Sequence, residues 1–127
     1  MQPVNLFDLA SQQARWLAVR QASTASNIAN VHTPEYRATD IEPFENIVNN
    51  TSVSMRTTNA NHLLPVGQTD ANYRTHPTDD PVMMPSGNNV SIENELMKAG
   101  EVRREYQLNT AIVKSFHRMM MMTTAKG

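Results

Sequence analysis

The sequence predicts a mainly α-helical, elongated protein, in which an N-terminal and a C-terminal helix pair as a coiled-coil-like stem. Two observations predict this fold. Apolar residues recur at helical spacing near both ends of the 127-residue chain. Six of its seven prolines lie within residues 31–90, a segment also rich in Asn and Thr, where proline excludes long helices. We therefore expect an N-terminal helix over 1–30, an extended segment of loop and short β structure over 31–90, and a C-terminal helix over 91–127. The two helices together form one core domain.

The N-terminal helix is predicted because residues 5–30 contain neither Gly nor Pro. Their apolar residues recur every three or four positions, which is typical of one face of an amphipathic helix: Phe7, Ala10, Ala14, Leu17, Ala25 and Ile28. A second stripe consists of small side chains that let another helix approach closely: Ala18, Ala22, Ala25 and Ala29.

The C-terminal helix is predicted to begin after Ser91, a residue type that caps helix N-termini. Its apolar stripe again follows a three-four rhythm: Ile92, Leu96, Ala99, Tyr106, Val113 and Met120. A helix from Ser91 to about Ala125 spans roughly 50 Å. A compact globule of this chain length has a diameter of roughly 36 Å. The helix is longer than the globule that would bury it, so we expect an elongated protein or one that packs against copies of itself. Within one chain, we expect Leu17 and Ile28 to contact Tyr106, Val113 and Phe116.

Composition excludes several functional classes. The chain has no cysteine and a formal net charge of −1, so thiol chemistry is excluded and no global field recruits nucleic acid. We find neither a secretory signal peptide nor an apolar run of membrane-spanning length. The four histidines are at least fourteen positions apart, and the glycines form no phosphate-binding loop. We therefore expect no enzyme, cofactor, metal site or small-molecule substrate.

Four consecutive methionines, Met119 to Met122, stand near the end of the chain. Methionine often fills irregular gaps in a core. However, four consecutive residues cover every side of a helix, so one intramolecular partner cannot bury them all. We interpret them as a surface that neighbouring subunits cover.

The junction after the first helix, residues 26–37, reads SNIANVHTPEYR. It resembles the signature of flagellar rod and hook proteins, Ser-Asn-(Ile/Leu)-Ala-Asn-x-x-Thr-Pro-Gly-Tyr. Residues 58–63 resemble the family's Thr-x-x-x-His element, and residues 87–96, GNNVSIENEL, are similar to a stretch of the proximal-rod members. The short length also favours a proximal-rod protein. FlgC is the neighbouring proximal-rod protein and shares the first motif and the size. It is the close alternative to the member that residues 87–96 resemble.

The resemblance implies a structural subunit of the flagellar basal-body rod, with paired terminal helices lining a hollow tube that transmits torque and passes exported subunits. It also implies type III export without a cleaved signal and a place in the periplasmic part of the basal body. The implied partners are further copies, a FlgC-type neighbour, the FliE adaptor, the export gate and the MS ring. A non-flagellar helical adaptor or a secretion chaperone that forms a discrete oligomer is the alternative function.

The sequence departs from the family signature at Glu35, where the signature has Gly. Because a type II turn requires a positive φ that a residue with a Cβ resists, we expect a type I turn at Pro34–Glu35. We further expect Asn27, Asn30, Thr33 and Pro34 to form a structured junction. The residues that we predict to serve assembly lie on the two helix stripes, in this junction and in the methionine run: Leu17, Ala22, Asn27, Ile28, Asn30, Thr33, Pro34, Tyr36, Leu96, Tyr106, Val113, Phe116, Met119, Met120 and Met122.

Overall fold

A computed structural model describes residues 3–49, 73–78 and 83–125. Its two long helices, α1 (Pro3–Ala29) and α3 (Ile92–Thr124), confirm the mainly helical prediction. Between them lie strand β1 (Thr39–Ile41), the short helix α2 (Phe44–Asn49) and strand β2 (Thr75–Pro77). Ser91 caps α3 as predicted, since its side chain accepts a hydrogen bond from the backbone N–H of Asn94. The resemblance noted over residues 58–63 lies outside the described residues.

Helices α1 and α3 pack together in antiparallel orientation. Near one end of the pair, the rings of Phe7 and Phe116 meet edge to face, with centroids 5.3 Å apart. Further along, the Asn109 side chain donates to the carbonyl of Ala10 at 2.9 Å. At the other end, Asn27 donates to the Glu95 carboxylate at 3.1 Å. Residue numbers rise along α1 as their partners' numbers fall along α3, which fixes the register.

This register corrects part of the predicted pairing. Leu17 belongs to one buried cluster with Val102, eleven positions before Val113, so a contact between Leu17 and Val113 is wrong by about 16 Å along the helix. Phe116 does contact α1, but through Phe7. The predicted helical faces were right, but the predicted partners on the opposite helix were displaced along it. Helical spacing defines which residues share a face and does not define which residues lie opposite them.

The buried seam of the pair repeats every seven residues. On α1 it contains Ala10, Leu17 and Thr24, and on α3 it contains Glu95, Val102 and Asn109. A seven-residue repeat keeps one line of side chains facing the partner helix, as in coiled coils. The apolar stripe predicted for α3 lies beside this seam, and two of its members, Leu96 and Tyr106, are 58% and 54% exposed. Half of the seam positions carry polar side chains, so apolar spacing alone does not reveal the seam.

The middle segment docks on the stem through a small apolar cluster. Trp16 and Leu17 of α1, Val102 of α3 and Ile41 of β1 form its centre, and the half-buried side chains of Phe44, Ile47 and Tyr73 pack against it. The Trp16 indole donates to the carbonyl of Glu42 at 2.9 Å, so the largest aromatic side chain is anchored at its polar end as well. The segment between the helices is therefore part of the fold along its described residues.

Helix α2 corrects the prediction of loop and short strands alone. Pro43 stands directly before it, and its fixed φ suits a helix start. Glu45 lies in the first turn, where negative charge is favoured. Phe44 and Ile47, three positions apart, face the cluster together. Six residues are too few for a periodic sequence signal, and this packing holds them helical.

The predicted short β structure is confirmed as a two-stranded antiparallel ribbon. Asp40 of β1 lies opposite His76 of β2, and further backbone hydrogen bonds extend the pairing at both ends, from Thr78 to Ala38 at 2.8 Å and from Glu42 to Arg74 at 3.0 Å. The ribbon holds Asp40 against the stem.

We expect the register to be measurable by intramolecular crosslinking. Because the chain has no cysteine, Phe7→Cys/Phe116→Cys should crosslink efficiently with a short bis-maleimide in dilute solution. Phe7→Cys/Leu96→Cys is the matched control: Leu96 is exposed but lies about 30 Å before Phe116 along α3, so this pair should crosslink at least about tenfold less. Efficient crosslinking of the control pair would show a different register.

Candidate functional site

The junction that follows α1 is held by its own side chains. The Asn30 amide donates to the carbonyl of Ser26 at 2.8 Å, and the Thr33 hydroxyl donates to the Asn30 side-chain oxygen at 3.0 Å. The backbone N–H of Thr33 also donates to the Asn30 carbonyl at 3.0 Å. The last of these bonds satisfies a carbonyl group beyond the helix end, and the two side-chain bonds hold Asn30 and Thr33 in place. Pro34 then prevents the chain from continuing as helix.

The turn at Pro34–Glu35 corrects the predicted type I geometry. Glu35 has a φ of 61°, which has the sign that a type II turn requires at its third residue and that type I excludes. The backbone N–H of Tyr36 closes the turn on the carbonyl of Thr33 at 3.3 Å. A side chain tolerates this left-handed conformation only when its surroundings impose it. Here the N–H of Glu35 donates to the carbonyl of Ser86 at 3.0 Å, and Gly87 approaches the Glu35 backbone closely.

Asn88 is the main tie between the junction and the start of α3. Its side chain is buried, and its amide nitrogen lies within 3.0 Å of three carbonyl oxygens, those of Asn30, Val31 and Thr33. Its side-chain oxygen accepts from the N–H of Val90 at 2.7 Å. One asparagine thereby fixes the path of the chain after α1 from a position 58 residues later.

Two further buried asparagines extend this arrangement to the ribbon. Asn89 accepts from the N–H of Ala38 at 2.7 Å and donates to the carbonyl of Thr78 at 3.0 Å. Asn27 both donates to the carbonyl and accepts from the N–H of Thr39, at 2.8 and 3.1 Å. An asparagine amide can pair with an extended backbone like a neighbouring strand, since it offers a donor and an acceptor side by side.

Charges of alternating sign connect α1, β1 and α3. Lys98 lies 3.1 Å from the buried carboxylate of Glu95 and 3.5 Å from Asp40. Arg20 lies 3.5 Å from Asp40 and 3.8 Å from Glu101, and its guanidinium stands 5.4 Å from the centre of the Trp16 ring. Apart from Glu95, these side chains are partly exposed, so each pair contributes at most about 1 kcal/mol. The network joins the middle segment to both helices through Asp40.

The predicted assembly residues divide by exposure. Leu17 and Asn27 are fully buried, so their side chains act inside the subunit. Ile28, Asn30, Tyr36, Val113 and Phe116 are half-buried. The others are exposed: Ala22, Thr33, Pro34, Leu96, Tyr106, Met119, Met120 and Met122. Their role in assembly stays a prediction.

Sequence reasoning missed Asn88, Asn89 and Glu95 as structural residues. All three fall within the stretch 87–96 that carried part of the family resemblance, so the motif marked them without indicating what they do. From sequence alone, polar residues such as these are expected to face solvent unless a buried partner is known. The partner of Glu95, Asn27, lies 68 positions away.

The described ranges hold no cluster of three or more His, Asp or Glu side chains placed to bind a metal ion. Among the helices within those ranges, none combines the length and the hydropathy needed to cross a lipid bilayer.

The fold defines a class of protein: a chain built on paired terminal helices, with a middle segment bonded to both helices and large apolar side chains exposed. The chain is 47% identical over 133 aligned residues to the flagellar basal body rod protein FlgB of Agrobacterium fabrum, covering 99% of this chain and 97% of that protein. It is 27% identical over 90 residues to FlgB of Bacillus subtilis, covering 70% and 69%. No protein-family model matches it. The chain therefore belongs to the FlgB family of flagellar basal body rod proteins, which confirms the resemblance.

We expect Asn88→Asp to open the junction. The substitution keeps the shape but replaces the amide donor with an oxygen that faces three carbonyls, which should destabilise this region by at least about 2 kcal/mol. Hydrogen exchange of the backbone amides of residues 30–36 measures the effect. Asn46→Asp, at an exposed position of α2, is the control and should leave that exchange unchanged. Equal protection in the two variants would contradict the assigned role of Asn88.

We also expect Glu35 to tolerate glycine better than a β-branched residue. Glu35→Gly should be at least as stable as the parent protein, whereas Glu35→Val should lose about 1–2 kcal/mol, because left-handed backbone is strained for residues with a Cβ. Denaturant unfolding compares the two. The same substitutions at His32, which is exposed and is not among the described residues of positive φ, should give the opposite order. Matching orders at both sites would show that φ at Glu35 carries no strain.

Proposed function

We propose that this protein is a structural subunit of the proximal rod of the bacterial flagellar basal body, where it polymerises into the hollow drive shaft that transmits torque. The observation that carries the proposal is the 47% identity to a FlgB protein over almost the full length of both chains. The fold supports it: a stem of two long helices leaves large apolar side chains exposed, and such faces are typical of surfaces that another protein covers.

The internal connections of the subunit suit a mechanical role. A shaft segment must resist shear between its parts. Here the middle segment is joined to both helices by the Trp16 cluster, by the ion pairs through Lys98 and by the buried asparagines. Groups of this kind lose their partners when the parts slide, because hydrogen bonds and ion pairs depend on position. The proposed role is structural and involves no catalysis and no cofactor.

The proposed partners are further copies of the chain, a FlgC-type proximal-rod protein, the FliE adaptor, and the export gate and MS ring beneath them. We propose that the subunit leaves the cytoplasm through the flagellar type III export apparatus without a cleaved signal peptide and acts in the periplasmic part of the basal body. The FlgB family assignment favours this role over the non-flagellar adaptor or chaperone.

Genetic replacement tests the proposal. In the source bacterium, deletion of the gene should abolish swimming and rod formation, and a tagged copy should restore both and co-purify with isolated basal bodies. Asn30→Ala, which removes the Ser26 and Thr33 bonds, should impair swimming while the protein is still exported. Ala111→Ser, at an exposed position of α3, is the control and should swim normally. A deletion strain with intact rods would overturn the proposal.

A further inference from the structure

One side of the stem bears a groove between the two helices. It consists of two adjoining cavities of about 350 Å³ each, and Tyr106 lines both. Small side chains of α1 form its floor, among them Ala14 and Ala18. Since a cavity of about 150 Å³ holds a benzene ring in an engineered protein, each section has room for a large apolar side chain.

The other side of the stem bears a ridge of large apolar side chains. Leu108, Ile112 and Met119 of α3 are 61%, 45% and 53% exposed. Leu108 lies seven positions after Glu101, and Ile112 lies seven positions after Glu105, so the ridge continues the line on which those two acids stand. Over the first half of α3 this line faces the middle segment, since Glu105 lines the cavity beside Asp40. Glu101 pairs with Arg20 of α1, which itself pairs with Asp40. Over the second half the line is apolar, and none of the described residues of the middle segment covers it.

Helix geometry places groove and ridge on different sides of the stem. Ala18 lines the groove, whereas Trp16, two positions before it, lies on the side of the middle segment. Two positions turn an α-helix by about 200°. Thr110 and Ile112 are related in the same way on α3: Thr110 lines the groove, and Ile112 belongs to the ridge.

The charges beside the two features are of opposite sign. Arg103 and Lys114 line the groove, while Glu101, Arg104 and Glu105 lie at the near end of the ridge, so that this end carries a net charge of −1. A ridge of one helix packed into the groove between two others is the usual geometry of helix contacts. A second copy brought ridge to groove would match large side chains with small ones and acids with bases.

We infer that the groove of one copy receives the Leu108–Ile112–Met119 ridge of a second copy. The inference rests on the proposed self-association and names the two faces that it uses. Because the faces differ, the contact is heterologous, and it repeats from copy to copy instead of closing a two-fold dimer. The part of α3 that follows Glu105 measures about 28 Å in length. A contact along this length alone falls at the small end of protein interfaces. Pairwise association should therefore be weak and should strengthen in an assembly.

Crosslinking between separately labelled copies tests the geometry. Ala18→Cys protein mixed with Ile112→Cys protein should give a mixed bis-maleimide dimer at least about tenfold above two controls, Val19→Cys with Ile112→Cys and Ala18→Cys with Ala111→Cys. Each control moves one cysteine to the neighbouring exposed position. Predominant Ile112–Ile112 or Ala18–Ala18 dimers would show a two-fold contact and overturn the inference.

A charge exchange provides the second measurement. Glu105→Lys makes the near end of the ridge net basic against the basic groove, and Arg103→Glu/Lys114→Glu makes the groove acidic against the acidic ridge, so each variant alone should sediment with association weakened about five- to tenfold at low salt. Mixing the two variants makes every ridge meet a groove of opposite charge and should restore association. Circular dichroism checks that both variants stay helical.

The outcomes separate the two proposals. Assembly that persists in both single variants, or that the mixture does not restore, would overturn the ridge-and-groove contact while leaving the rod assignment intact. Absence of self-association in the parent protein, at any concentration and within purified basal bodies, would overturn both.

Discussion

The arrangement of this protein depends on the side chain of Asn27. Its amide donates to the Thr39 carbonyl and to the Glu95 carboxylate, and its oxygen accepts from the Thr39 N–H and the Tyr36 hydroxyl. One buried group thus joins α1 to the ribbon, to the turn after the junction and to α3. An apolar replacement would remove the acceptor of the Thr39 N–H and would leave the buried Glu95 carboxylate with Lys98 alone, and each buried group that loses its partner costs about 1–3 kcal/mol.

Polar residues in the helix seam explain why the stem has a single register. Two helices with apolar seven-residue repeats can slide by one repeat with little loss, since every position offers a similar contact. Here Asn109 donates to the carbonyl of Ala10, and Glu95 accepts from Asn27, in one alignment. Sliding would bury these groups without partners. The seam contributes less stability than a fully apolar one and more specificity, which suits a chain with a small apolar cluster.

The features that could be predicted from the sequence were the local ones. Freedom from Gly and Pro, the Ser91 cap and the proline-rich middle depend on neighbouring residues, and they located both long helices and the short β structure. What could not be predicted depends on distant partners. The register is fixed by pairs 68 and 99 positions apart, α2 is held by the Trp16 cluster, and the N–H of Glu35, at positive φ, is held by the carbonyl of Ser86. The junction was recognisable as a motif, but its bonds to Asn88 were not.

Helix α3 changes its character where the middle segment stops covering it. Two seven-residue series lie side by side on one face of the helix, Glu101 with Leu108 and Glu105 with Ile112 and Met119. The acids lie in the part nearer the described middle segment, and the apolar residues follow beyond it. If water were the intended neighbour of the second part, charged residues would be expected there and apolar ones under the segment. The order is the reverse. The intramolecular contact uses charges that specify position, while the uncovered half offers apolar area whose burial is favourable only when another chain arrives. The specific polar contacts therefore lie within the chain, while large apolar side chains stay exposed along the second half of α3.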